Sequence, residues 1–398
     1  MAEFDASGFA ENKIRDLKES IGNAKVLAAV SGGVDSTTAA TLVRRAIESN
    51  VFSVFMDTGF MRMSEPESIA ETLSALPLPL NVEVVDARKR FLDRMKGVPN
   101  AERKRKIFRA IFYEVLSEEA RKRQCSFLVQ GTIAPDWIET QGRIKTQHNV
   151  LSQIGIDPQR RYGFKVLEPL VDLYKWQARE VAKFLGIREQ LVQRQPFPGP
   201  GVSVRMLGAI NERKLETVRK ADAVVRRHLD SKGCDQYFAA VLDGRFLPGG
   251  VGKRASKKLR ELLSSHGDGF QVSVLLNKAT GMESGARKYG NILALSVRSG
   301  RELKIPPISD LTRIQKRIID NFPRVCRVLV ETSGSPRKAS YFVVIRSVQT
   351  RDFMKADVSG LDSGLLSEIS QDVLKECPGV ARVYYDVTPK PPATIEFE

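Results

Sequence analysis

Apolar and polar positions follow two alternating rhythms along the first half of the chain. Residues 25–30 form a short apolar, β-branched run, and 37–47 then carry apolar residues at helical spacing. The exchange repeats. Residues 51–56 read as a strand, 65–76 as a helix, 81–85 as a third strand, 102 to about 123 as a long amphipathic helix, and 126–130 as a fourth strand. A short helix at 12–21 precedes them. Strand and helix in alternation predict an α/β fold with a doubly wound, Rossmann-like parallel sheet, because parallel neighbours need a long crossover.

That rhythm breaks at Pro196-Phe197-Pro198-Gly199-Pro200-Gly201, which can continue neither a helix nor a central strand. The break predicts a first domain over 1–200 and a second over 201–398, joined by a rigid loop with Phe197 buried between prolines. The second domain holds an internal repeat. Asn321-Phe322-Pro323-Arg324-Val325-Cys326-Arg327-Val328 matches Glu376-Cys377-Pro378-Gly379-Val380-Ala381-Arg382-Val383. A helical segment stands before each match, and before that a strand, 292–297 or 341–348. This predicts two β-α-β units, about 270–335 and 338–398, in one duplicated α+β domain. The basic, glycine-containing stretch from about 244 to 268 is expected to be a partly mobile insertion.

Composition narrows the class. With 398 residues, 42% hydrophobic and 28% charged, the chain reads as a soluble globular protein with more than one core. No apolar run approaches membrane-spanning length and no secretory signal opens the chain, so a cytoplasmic location is expected. Four scattered cysteines and three histidines argue against a disulfide framework or a zinc site. The net charge of +16 points to anionic partners. The basic clusters lack interleaved aromatics, which argues against single-stranded nucleic acid and leaves most of them as solvated helix faces.

The candidate chemistry sits where the first strand meets its helix, at Ser31-Gly32-Gly33-Val34-Asp35-Ser36. Two glycines let the backbone turn tightly against a ligand, and the N–H groups opening the next helix face an anion. Ser31, Ser36, Thr37 and Thr38 add hydroxyl donors. Asp35 would repel phosphate unless a cation stands between them, which implies Mg²⁺. No Gly-Lys-Ser/Thr follows, so this is not a Walker loop. The plain alternative is a Gly-Gly turn with Ser and Asp as helix caps.

The loop resembles that of the N-type ATP pyrophosphatases, which cut ATP between the α and β phosphates and adenylylate a substrate oxygen. Further stretches resemble the GMP synthetase family within that group. These are Asp57-Thr58-Gly59-Phe60-Met61-Arg62, Glu102-Arg103-Lys104-Arg105-Lys106-Ile107, Gln130-Gly131-Thr132 with Pro135-Asp136, Ile144-Lys145-Thr146-Gln147-His148-Asn149, the proline-rich loop with Arg205, and the tail Lys390-Pro391-Pro392-Ala393-Thr394-Ile395-Glu396-Phe397-Glu398. The resemblance implies that Ser31, Gly32, Gly33, Val34, Asp35, Ser36, Thr37, Asp57 and Gly131 bind ATP, with Asp35 also holding the metal. It implies catalytic roles for Asp35, Ser36, Lys145 and His148, the latter two on a lid. It implies that Arg105, Lys390, Thr394, Ile395 and Glu396 bind XMP. The implied reaction consumes ATP, XMP and ammonia, and the implied assembly is a homodimer through the second domain.

The lid departs from the bacterial pattern, and the family's GDxRxY turn stands here as Glu283-Ser284-Gly285-Ala286-Arg287-Lys288-Tyr289, without its aspartate. These departures and the duplicated second half resemble the eukaryotic-type members. No cysteine has the glycine-flanked setting of a glutaminase nucleophile, so ammonia is expected free or from a separate glutaminase subunit. A tRNA-modifying ligase, a non-catalytic nucleotide-binding homologue and NAD synthetase are the rival readings. The absent cysteine pair, the intact Asp35, Ser36, Lys145 and Lys390, and the XMP-type tail argue against them in turn.

Overall fold

The computed structural model describes residues 4–134, 155–192, 194–250, 252–264, 269–283, 285–334, 339–350 and 354–398. Lys145 and His148, assigned to a lid by resemblance, lie outside the described residues. The chain divides into two compact units, Met1–Met95 with Arg105–Pro200, and Lys96–Lys104 with Gly201–Glu398. The short segment Lys96–Lys104, placed in the first domain by the sequence pattern, therefore clusters with the second unit.

In the first unit, strands β1 (Lys25–Ala29), β2 (Val51–Asp57), β3 (Glu83–Asp86), β4 (Cys125–Val129) and β5 (Lys165–Leu167) form one sheet in the order β3-β2-β1-β4-β5. Every pairing in it is parallel. Among the described residues the helices of eight residues or more are α1 (Ala6–Ile21), α2 (Val34–Ile47), α3 (Glu65–Ser74), α4 (Arg88–Met95), α5 (Ala101–Arg123) and α6 (Lys175–Phe184). Val26, Leu27 and Ala28 of β1 are fully buried, as expected of a central strand covered on both faces. α2 buries Ala39, Ala40, Leu42 and Val43 and packs on α1 and α6. The strand order reverses between β1 and β4, so the segments leaving these two strands diverge and open a crevice at their carboxyl ends. The three-residue β5 was too short to leave a periodic signal.

The second unit holds α7 (Glu212–Leu229), β6 (Gln236–Asp243), α8 (Lys253–Ser264), β7 (Phe270–Glu283), β8 (Ala286–Ser299), β9 (Glu302–Lys304), α9 (Ile308–Asn321), β10 (Val325–Gly334), β11 (Tyr341–Gln349), β12 (Asp357–Val358), α10 (Ser363–Glu376) and β13 (Val380–Asp386). Its strands make one sheet in the order β12-β11-β13-β10-β8-β7, with β6 paired to β11 and β9 to β8. The two repeat copies are β8-α9-β10 and β11-α10-β13, each with its strands parallel, and they meet where β10 and β13 run antiparallel.

Charges cross that junction. Arg327 Nη1 of the first copy reaches Asp386 Oδ2 of the second at 2.5 Å, and Arg382 Nη1 of the second reaches Glu331 Oε2 of the first at 2.7 Å. The two arginines occupy matching places in the repeat, and so do the two acids.

Two expectations change here. The stretch from 244 to 268 contains a helix, α8, because Leu259, Leu262 and Leu263 share one face and are buried while the basic residues take the other. Phe197 is half-buried, not buried, and its ring lies under the Arg62 guanidinium, 4.3 Å from carbon to centroid.

Candidate active site

The 31–36 loop fills the crevice at the end of β1. Gly33 is the N-cap of α2 and brings no side chain to it; no side-chain cap bond is present. The caps expected from a mere Gly-Gly turn are thus not made by Ser36 or Asp35. Ser36 Oγ instead ties the loop to itself, accepting from the Ser31 N–H at 3.1 Å, donating to the Gly33 carbonyl at 3.2 Å and meeting Ser31 Oγ at 3.0 Å. With no side-chain cap on its opening N–H groups, a 14-residue helix presents the positive end of its dipole to the crevice.

Gly131, after β4, must be glycine: a Cβ there would stand 2.4 Å from the Ser36 nitrogen. That close approach presses the end of β4 against the start of α2. Gln130 beside it donates from Nε2 to the Tyr113 hydroxyl at 2.8 Å, and burial pushes the Tyr113 phenol well above its ordinary value. Thr132 donates to Glu168 Oε1 at 2.6 Å, fixing the outgoing chain.

Asp35 Oδ2 accepts from Lys175 Nζ at 2.5 Å. Lys175 is the first residue of α6, so the packing of α6 on α2 delivers an ammonium to the loop's carboxylate. The loop's own sequence assigned the positive charge at Asp35 to a metal and gave no hint of Lys175. The only signal for it was a lysine opening a helical segment downstream of Glu168-Pro169-Leu170.

A cavity of about 430 Å³ adjoins the loop. Ser31, Gly32, Gly33, Val34, Asp35, Ser36, Gly131 and Arg105 all line it, as do Lys175, Arg109 and residues 194–200. Val54, Met56, Phe108 and Phe112 give it an apolar part suited to a purine ring. Arg105 is buried despite its charge, and Lys104 beside it in sequence is fully buried, so this basic cluster is not the solvated face that its pattern suggested. Two residues assigned to ATP, Thr37 and Asp57, do not line this cavity, though their neighbours Ser36 and Thr58 do. Thr37 is buried in α2, and Asp57 is outside the cavity wall among the described residues. Asp57 accepts from the Gly59 N–H at 2.9 Å and pairs with Arg88 at 3.5 Å, which closes the turn after β2.

The tail is built into the second unit as a strap. Lys390 exchanges backbone hydrogen bonds with Ala356, at 2.7 and 3.0 Å. Arg327 Nη2 donates to the carbonyls of Thr394 and Glu396 at 2.7 and 2.5 Å, and its guanidinium lies 3.9 Å from the Phe397 ring centroid. Arg346 Nη1 donates to the Thr388 carbonyl at 2.6 Å. Both arginines are fully buried on Asp386, and burial pushes the Arg346 guanidinium down to about 10.

Like Lys390, the other tail residues assigned to XMP have partners along this strap. Thr394 Oγ1 donates to the Thr280 carbonyl at 3.2 Å, and Ile395 packs partly buried against the core. Glu396 takes two bonds from Arg205, at 3.0 and 2.9 Å. The last residue is held by a side chain from the segment 96–104. Lys104 Nζ pairs with Glu398 Oε2 and donates to the Met206 carbonyl at 2.5 Å. Burial lowers the Lys104 ammonium from its ordinary value, and the Glu398 carboxylate opposes that shift. Arg205 and Lys104 were missed as tail anchors because nothing local in the sequence pairs residues so far apart along the chain.

Comparison with known proteins agrees with this layout. The family described as PP-loop domain matches residues 8–189, and that described as GMP synthase C terminal domain matches 330–397. The chain is 43% identical over 397 residues to a subunit of the glutamine-hydrolyzing GMP synthase of Saccharolobus solfataricus, spanning 99% of this chain and 100% of that one. It is 37% identical over 399 residues to the subunit of the same name from Methanocaldococcus jannaschii, again spanning 99% and 100%. Among solved structures, the NH3-dependent NAD synthetase from Campylobacter jejuni aligns at a TM-score of 0.38 and 19% identity over 58% of this chain and 88% of that one, too weakly to bear on function. The match to the two archaeal subunits runs from end to end and joins both units in one family: the chain belongs to the GMP synthase family, among the members made as a separate subunit.

Proposed function

We propose that this chain is the synthetase subunit of a two-part GMP synthase. It activates XMP with ATP, releasing pyrophosphate, and replaces the activated oxygen with ammonia. In the first step an XMP oxygen bonds to the α-phosphorus of ATP and the bond from α-phosphorus to the β-phosphate oxygen breaks. In the second, ammonia bonds to the purine carbon, AMP leaves with the oxygen, and the amine gives up a proton. The observation that carries the reading is the uncapped start of α2, with Ser31 and Ser36 hydroxyls beside it, opening on a cavity with an apolar part and a buried arginine.

In this reading the α2 N-terminus and the two serines hold the departing pyrophosphate, where fixed donors stabilise developing charge without reorganising. Lys175 neutralises Asp35 in the absence of nucleotide and turns to the phosphates when they arrive. Arg105, Lys390, Thr394, Ile395 and Glu396 serve XMP, and Lys145 and His148 the lid. The oxygen donors at the loop, the Asp35 carboxylate and the Ser31 and Ser36 hydroxyls, suit Mg²⁺, which takes most of its ligands from phosphates and water. When bound, the metal draws negative charge from the phosphate chain; Asp35 would hold it.

Ammonia comes from a separate glutaminase subunit. Burial pushes the Cys125 and Cys377 thiols up to about 11, which leaves them protonated and poor nucleophiles. Among the described residues no helix is long and apolar enough to cross a membrane. The reading includes a homodimer through the second unit and a cytoplasmic location. The test is incubation of the purified chain with ATP, Mg²⁺, XMP and ammonium chloride. GMP, AMP and pyrophosphate are expected in equal amounts, and Asp35→Ala is expected to abolish their formation. Pyrophosphate release that ignores XMP would overturn the reading.

A further inference from the structure

Glycine at position 32 solves one problem and creates another. Its φ of +71° and the absence of space for a Cβ, which would come within 2.7 Å of Ile69 and 2.9 Å of Arg194 Nη1, admit glycine alone. Yet a Gly-Gly peptide turns over easily, and the wrong face would aim a carbonyl oxygen, not an N–H, at an incoming phosphate. Something outside the loop has to choose the face.

The structure supplies a clamp. Arg194 Nη1 donates to the Gly32 carbonyl at 3.1 Å. In a planar trans peptide the carbonyl and the next N–H point to opposite sides, so this bond directs the Gly33 N–H away from Arg194. That N–H faces Ser31 Oγ at 3.4 Å, the side on which the serine hydroxyls gather. The other arm of the same guanidinium, Nη2, is bonded to Glu65 Oε1. Glu65 is nearly fully buried at the start of α3. It accepts from the Arg62 N–H at 3.0 Å and pairs with the Arg62 guanidinium at 3.6 Å. Arg62 in turn lies over Phe197. Arg194 is therefore held in a fixed fork, one arm on a rigid carboxylate and the other on the loop.

We propose that Arg194 is a positioning residue for the phosphate loop, setting the orientation of the Gly32–Gly33 peptide so that the loop meets pyrophosphate with its N–H groups. The proposal rests on the reading of residues 31–37 as the pyrophosphate loop. Lysine cannot replace the arginine, because one ammonium on a flexible stem does not hold the carboxylate and the carbonyl at once in the planar fork.

The full-length chain and its Arg194→Lys and Arg194→Met variants are titrated calorimetrically with inorganic pyrophosphate and, separately, with adenosine. A charged hydrogen bond of this kind is worth about tenfold in affinity, so both variants are expected to bind pyrophosphate about tenfold more weakly and to keep adenosine affinity. XMP-dependent pyrophosphate release is expected to fall about 100-fold in kcat, as small displacements of reacting groups do. Should Arg194→Met fail to fold, Arg194→Lys, which keeps a charge for Glu65, decides alone. A loss below about threefold for pyrophosphate in Arg194→Lys, or an equal loss for adenosine, overturns the clamp while leaving the loop's assignment standing. A wild-type chain that binds no pyrophosphate and releases none from ATP overturns the assignment and the clamp together.

Discussion

Asp386 offers the sharpest measurement of what holds the tail. Substituting Asp386→Asn keeps the shape and the hydrogen bond from the Thr388 N–H, at 3.0 Å, but removes the one carboxylate shared by Arg327 and Arg346. Both guanidinium groups are fully buried, so neither can recover its loss from water. Removing one partner of a buried pair costs about 3–5 kcal/mol, a large share of the roughly 5–15 kcal/mol that holds a domain folded. The matching acid provides an internal control. Glu331 is buried, but its arginines, Arg382 and Arg298, are 35% and 31% exposed and stay hydrated when it becomes glutamine. Its loss should cost about 1 kcal/mol. Amide hydrogen exchange over β13 reads the difference without requiring the whole chain to unfold in one step. At 1.4 kcal/mol per tenfold, Asp386→Asn should speed exchange there about 100- to 4000-fold, against less than about tenfold for Glu331→Gln. The XMP requirement should rise in the first variant and not in the second. Equal effects of the two substitutions, or exchange in Asp386→Asn within about tenfold of wild type, would refute the reasoning.

Three further outcomes are expected. Lys175→Met leaves Asp35 without its ammonium, and the loss of a charge-assisted bond should raise the ATP requirement about 10- to 100-fold; an unchanged KM for ATP would show that the pair has no part in nucleotide binding. Lys390→Ala should chiefly raise the XMP requirement while ATP affinity holds, since its backbone bonds to Ala356 survive the change; equal loss of both would point to a collapsed tail. Lys104→Met takes the ammonium from the buried Glu398 carboxylate and leaves it the weaker bond from the Gly208 N–H at 3.3 Å, so the second unit should lose about 3 kcal/mol, seen as a lower thermal midpoint together with a raised XMP requirement, and a midpoint that does not move would contradict the anchoring.

The parallel sheet was legible because β1, β2 and β4 are short apolar runs between helical stretches; its strand order, and with it the switch point, was not, because neighbours in the sheet are chosen by packing far along the chain. The repeat announced β10, β13 and their helices. β6 escaped notice: Gln236–Asp243 is a continuous apolar run, which periodicity alone does not separate from a buried helix. The glycine loop could be read as a candidate phosphate cradle from local chemistry. Lys175 and Arg194 could not, because each reaches the loop through tertiary packing from more than a hundred residues downstream. Arg205 and Lys104 share that obstacle, being defined by partners at the far end of the chain. Local pattern marks the glycine turn; the side chains that bond to it, Lys175 and Arg194, arrive by routes that pattern does not encode.

The exchange of charges between the repeat copies has a consequence for how such a domain can exist at all. Each copy carries an arginine and an acid that pair with the acid and the arginine of the other copy. A polypeptide with one copy would keep the pairs within it, Arg346 with Asp386 or Arg298 with Glu331, and lose those that cross, unless a twin came to it about a two-fold axis and the same handshake formed between separate molecules. Joining the copies in tandem makes that meeting independent of concentration, and it frees only one of the two equivalent ends to carry a tail.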